Sequence, residues 1–140
     1  MRVEVSVEIT RPPDIVWPVL VDVEHWPEWT ASITKIERLD QAAFGLGSAV
    51  RIHQPKLKAM TYRVCKFEKG RLFAWETQSS GVFTIASHVI HDSKPGCLVT
   101  LAIYQRGWAA PFIAPFLRGI TRRYVEMEAH GLKKKCEELP

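Results

Sequence analysis

Cysteine is scarce in this chain of 140 residues: Cys65, Cys97 and Cys136 are odd in number, far apart and free of any CxxC pairing. That count excludes a disulfide framework, and with no histidines spaced as co-ligands it offers no metal set, so reduced, partly buried thiols are expected. Long apolar runs are missing as well, since none approaches the roughly 20 residues that span a bilayer. The N-terminus, Met1-Arg2-Val3-Glu4-Val5, alternates apolar and charged residues in place of a secretory leader. A cytoplasmic location without integral membrane association is the expectation. Neither a Gly-rich phosphate loop nor an HExxH pattern occurs, which leaves no cofactor and no metal to expect.

Charge of one sign is in only modest excess. The net +4 comes partly from Arg122-Arg123 and Lys133-Lys134-Lys135, but Glu126, Glu128, Glu137 and Glu138 stand among them in a helical pattern. Such mixing reads as a solvated helix face, so no nucleic-acid partner is expected. Glu126 and Glu128 fall on different helix faces and read as solvated charge rather than as a catalytic carboxylate pair.

Large aromatics, by contrast, are concentrated. His25-Trp26-Pro27-Glu28-Trp29 places two of the five tryptophans within four residues, shortly after Trp17. An indole buries roughly 150 to 250 Å², so this segment is either a hinge of the core or a wall of an apolar pocket. A hydrophobic content of 46% against 24% charged residues is ordinary for a globular protein, and the length fits one domain, residues 1–140, with one sizeable core.

Val3, Val5, Val7 and Ile9 alternate with polar residues as a half-buried strand. Pro12-Pro13 and Asp14 suit a helix start; Pro18 shortens or distorts that helix. Asp22 is placed to cap a second short helix ending near Trp26, before Pro27. Strands are expected near 33–39, 48–54, 60–68, 71–78, 82–91 and 97–105, joined by connections too short for crossover helices, hence antiparallel. From Pro111 to about Glu138 one long helix is expected, delayed or bent by Pro115, with Phe116 or Leu117, Ile120, Tyr124, Met127 and Gly131 on its apolar side. The order predicts an α+β fold: a curved seven-stranded antiparallel sheet wrapped around a long C-terminal helix, with two short helices after strand one.

Hairpin geometry indicates which side chains share the concave face. A two-residue Ser79-Ser80 turn sets Trp75 opposite Thr84 and Phe73 opposite Ala86, with His88 on the same face. A Lys69-Gly70 turn sets Val64 opposite Trp75 and Tyr62 opposite Thr77. Tyr62, Val64, Phe73, Trp75, Thr84 and His88 then form an apolar wall carrying a few polar groups, the composition of a small-molecule pocket. Tyr104, on the last strand, is a further candidate whose face the pattern does not settle. Trp29 is expected to reach the cavity and Trp26 to pack. His88 reads either as a hydrogen-bonded structural residue or as a ligand contact, and is the only weak candidate for a catalyst. His53 reads as structural or exposed, and His91 with Asp92 as a turn signal. No serine or cysteine nucleophile has a base and an orienting group at suitable spacing.

The succession of the opening strand, Ile15-Val16-Trp17 with Asp22, Trp26-Pro27-Glu28-Trp29, Gly47-Ser48, Gln54-Pro55, Phe73-Ala74-Trp75-Glu76, His88 and a closing Gly131-Leu132-Lys133 resembles the polyketide cyclase/dehydrase branch of the START-like (SRPBCC, helix-grip) superfamily. The resemblance covers essentially the whole chain. It implies a deep apolar cavity between sheet and C-terminal helix, entered near Trp108, Phe112, Phe116 and the Phe44-Gly45-Leu46-Gly47 loop. Ile120 and Tyr124 on the helix join the ligand-facing set. Members of that superfamily include cyclases and carriers, so three functions compete: binding of a small hydrophobic or aromatic ligand, lipid- or polyketide-like; a cyclase, dehydratase or aromatase with His88 or a cavity tyrosine as acid/base; and an interaction module using the apolar Trp108–Ile113 segment. A homodimer is compatible with each.

Overall fold

The computed structural model describes residues 1–140. Seven strands, β1 (Arg2–Ile9), β2 (Lys35–Arg38), β3 (Ala49–His53), β4 (Met60–Glu68), β5 (Leu72–Ser79), β6 (Val82–Ser93) and β7 (Gly96–Arg106), form one antiparallel sheet in the order β1-β7-β6-β5-β4-β3-β2. The fold is the START-type helix grip. Helix α1 (Pro13–Val21) and a 3₁₀ helix (Val23–Glu28) follow β1, and the long helix α2 (Ala110–Glu137) lies across the concave face. The odd residues of β1 face inward, as their alternation requires; Val3, Val7 and Ile9 are buried.

Pro18 sits inside α1, and the helix is short, nine residues, as expected of it. Other joints depart from expectation. Asp22 makes no capping bond; its carboxylate meets His25 Nδ1 at 2.8 Å instead. The second helix continues through Pro27 to Glu28 because it is a tight 3₁₀ turn, not an α-helix cut short at Trp26. Likewise α2 begins at Ala110 and carries Pro115 within it.

The β5–β6 turn is Ser80-Gly81, with Ser79 opposite Val82. Every partner therefore moves by two residues from the expected register: Trp75 faces Ala86 and Phe73 faces His88. A shift of two preserves the face. Between β4 and β5 the loop has three residues, Lys69-Gly70-Arg71, with Gly70 at φ 81°, and a bulge at Cys65 takes up the extra residue. Loop and bulge offset each other, so Val64 does pair with Trp75. Beyond the bulge the faces swap, and Phe67 turns inward opposite Phe73.

One buried cluster runs from Val3 to Cys136 and is richest in aromatics at one end. There Phe44 packs edge-on against Phe67, Phe73 and Trp75, and Trp17 against Phe67 and Phe73. The Arg38 guanidinium lies 5.6 Å above the Phe44 ring and closes that end from outside. The Phe44–Gly47 loop is thus a plug rather than the rim of an entrance. It sits at the Phe67 end of β4, whereas the N-terminus of α2 meets the opposite end, where Ala109 N–H donates to Gly81 O.

Candidate functional site

Two adjoining spaces of about 40 and 100 Å³ lie between α2 and the concave sheet, sharing Gln54, Tyr62, Ile103, Val125 and Glu128 as common wall. The inner one is lined further by Trp26, Trp75, His88 and Leu101; the outer one by Leu57, Thr84, Gln105, Leu117, Thr121 and Tyr124. Sites for drug-sized ligands are commonly several hundred Å³. The two spaces together are smaller than that.

Each wall follows from a local cause. Trp26 enters because Val23 and Trp26 eclipse each other in the 3₁₀ helix, and its Nε1–H donates to Leu20 O at 3.0 Å. Burying that indole stabilises the fold by roughly 4 to 6 kcal/mol on area alone. His88 stacks on its cross-strand partner Phe73 with ring centroids 4.2 Å apart and planes 19° from parallel. Its Nδ1–H donates to Phe73 O at 3.1 Å. The tautomer is thereby fixed, leaving Nε2 an acceptor with no protein partner.

The polar groups here are pushed in opposite directions. Burial lowers the His88 pKa to about 4, against the weaker opposing effect of its bond to Phe73 O. Burial raises the Glu128 carboxyl to about 8, and no cation or hydrogen-bond donor of the protein meets it. Burial, helped by the charge on Glu128, lifts Tyr62 to about 12. At neutral pH the cavity therefore presents a protonated carboxyl and a phenol as donors, and an uncharged imidazole nitrogen as acceptor. No group of three or more His, Cys, Asp or Glu side chains is placed to hold a metal ion.

The expected residues divide. Tyr62, Trp75, Thr84, His88 and Tyr124 line the two spaces. Val64 and Phe73 share the face but are packed into the core beside it. Tyr104 does not join them: it pairs with Ile85 on the convex face and is exposed, because β6–β7 register puts Gln105, Ile103 and Leu101 inward. Trp29 lies in outer clefts beside Lys135 while Trp26 reaches the cavity, the reverse of the expectation, since α2 crosses so closely at Gly131 that Trp29 is held outside. Ile120 faces a shallow surface groove with Lys56 and Arg123. Phe112 and Phe116 are exposed. The inward stripe of α2 is Leu117, Thr121, Val125, Glu128 and Leu132, one residue on from the expected one, roughly 100° around the helix.

Glu128 is the residue that sequence reasoning passed over. A signal was present: Glu126 has Arg122 and Glu137 has Lys133 one turn away, and both pairs form, whereas Glu128 has Tyr124, Val125, Gly131 and Leu132 at those spacings.

A profile of the family described as polyketide cyclase / dehydrase and lipid transport matches residues 1–137. The chain belongs to that family. No curated protein matches it. Among solved structures, the family member is similar to a START superfamily protein from Mycobacterium smegmatis, with 16% identity, a TM-score of 0.81 and 99% of each chain covered. It is similar also to the Zhui aromatase/cyclase from a Streptomyces species, with 18% identity, a TM-score of 0.78, and 98% of this chain and 93% of that one covered. For norcoclaurine synthase from Thalictrum flavum the identity is 13%, the TM-score 0.77 and the coverage 99% and 87%. At these identities the likeness is one of fold.

Proposed function

We propose that this protein binds a small hydrophobic or aromatic ligand, lipid- or polyketide-like, in the space beneath α2. The observation that carries the reading is an aromatic-lined interior in which Tyr62, His88 and Glu128 present polar atoms that the protein itself leaves unpaired. The family and the folds it resembles support it. An apolar fluorescent probe and native mass spectrometry of the purified protein test it. Uptake is expected in the wild type and loss of uptake in Val125→Trp, which fills the shared wall. No uptake of any apolar ligand by the wild type, or undiminished uptake by the variant, would sink the reading.

A second reading is favoured by one further observation. Glu128 is held protonated and His88 unprotonated on walls of one cavity, the opposed arrangement that suits a general acid and a general base. Cyclisation or dehydration of a bound carbonyl compound needs such a pair. Turnover of a poly-β-ketone substrate that survives both Glu128→Gln and His88→Phe unchanged would exclude this chemistry.

A further inference from the structure

We infer that the end of the molecule formed by the N-terminal turns of α2 is a docking surface for an anionic lipid bilayer. Three exposed aromatics mark it: Trp108, Phe112 and Phe116 are 76%, 72% and 83% exposed. Phe112 and Phe116 stand one helical turn apart and project from the same side of α2. Nothing in the chain covers them, and side chains of this size left in water at one place indicate an interaction surface.

Charge selects the occupant. From Arg106 to Val125 the chain has no acidic residue at all, yet carries Arg106, Arg118, Arg122 and Arg123. The β3–β4 loop at the same end adds Lys56 and Lys58, again without an acid, and is tied to α2 through the Tyr124 hydroxyl donating to Pro55 O. Arg122 is engaged by Glu126 at 3.5 Å, but Arg118, Arg123, Lys56 and Lys58 form no ion pair. Aromatic side chains at a helix tip with unpaired cations around them match the boundary between acyl chains and anionic headgroups, where the rings enter and the cations meet phosphate. The outer cavity opens behind the same turns, at Leu117 and Thr121. Docking does not require a bound ligand, so it stands or falls apart from the binding function.

Sedimentation of the full chain with vesicles tests this, using phosphatidylcholine alone and phosphatidylcholine mixed with phosphatidylserine, at low and high salt. Binding is expected to the mixed vesicles only, weakened by salt and accompanied by a blue shift of Trp108 emission. The double substitutions Phe112→Ser with Phe116→Ser, and Arg118→Glu with Arg123→Glu, are each expected to weaken it at least about tenfold. Both pairs are exposed, and unchanged circular dichroism confirms that the variants fold. No binding to mixed vesicles at low salt, equal binding to neutral vesicles, an unaffected phenylalanine variant, or a stable dimer that buries Phe112 and Phe116 would overturn the proposal.

Discussion

Gly131 of α2 lies directly against the backbone carbonyl of Trp29, with no room between them for a β-carbon. The contact brings the long helix onto the segment after the 3₁₀ helix and fixes the depth of the cavity. Gly119, a little over three turns earlier in α2, has nothing near it. Gly119→Ala is therefore expected to stabilise the protein by about 0.5 to 1 kcal/mol through helix propensity alone. Gly131→Ala, with the same propensity gain, is expected to destabilise by about 1 to 3 kcal/mol because backbone must move. Thermal unfolding of the two variants side by side checks the opposite signs.

Glu128 makes stability depend on pH. Its carboxyl holds a proton in the folded protein up to about pH 8 but releases it near 4.5 when unfolded. The folded state binds more protons across that window, so the Glu128 contribution to stability is complete below pH 4.5 and is lost as pH rises towards 8. Relative to Glu128→Gln, the wild type is expected to lose at most about 1.4 kcal/mol per pH unit there. Denaturant unfolding of both proteins at several pH values measures the difference, and a constant difference would contradict it.

His88 acts with the opposite sign. Its ring is neutral in the folded protein down to about pH 4 and takes a proton near 6.5 when unfolded. Its contribution is complete above pH 6.5 and is lost as pH falls through 4. His88→Phe keeps the stack on Phe73 but forfeits the bond to Phe73 O, costing about 1 kcal/mol at neutral pH. The variant's acid unfolding should begin at lower pH than that of the wild type.

Phe44→Ala tests the closed end. Loss of this half-buried ring from among Phe67, Phe73 and Trp75 is expected to cost about 2 to 3 kcal/mol, below the cost for a fully buried phenylalanine. The space it leaves should admit an apolar gas atom such as xenon, visible as shifts of methyl resonances at Val64 and nearby residues.

The strands were legible because alternation and turn residues are local signals, and even the misplaced Ser79-Ser80 turn kept its faces, since a register error of two is silent. A bulge is not local: Cys65 is ordinary in sequence, and its looping out sets Phe67 inward only through the pairing with β5. The face of α2 was misjudged by one residue for a different reason. Exposed Phe112 and Phe116 extend the apolar pattern along the neighbouring face, while Glu128, being charged, reads as solvated. Hydrophobicity alone cannot separate a surface that meets a partner from one that meets the core; the missing ion-pair partner of Glu128 could have. Trp26 and Trp29 exchanged places because only the crossing of α2 at Gly131 distinguishes them.

The packing of Phe44, Phe67, Phe73 and Trp17 fills the Phe67 end of the grip with interlocked rings. On the proposed binding function a ligand would come and go without passing that end. Substitutions among these rings are then expected to alter the stability of the fold more than the rate at which a ligand exchanges.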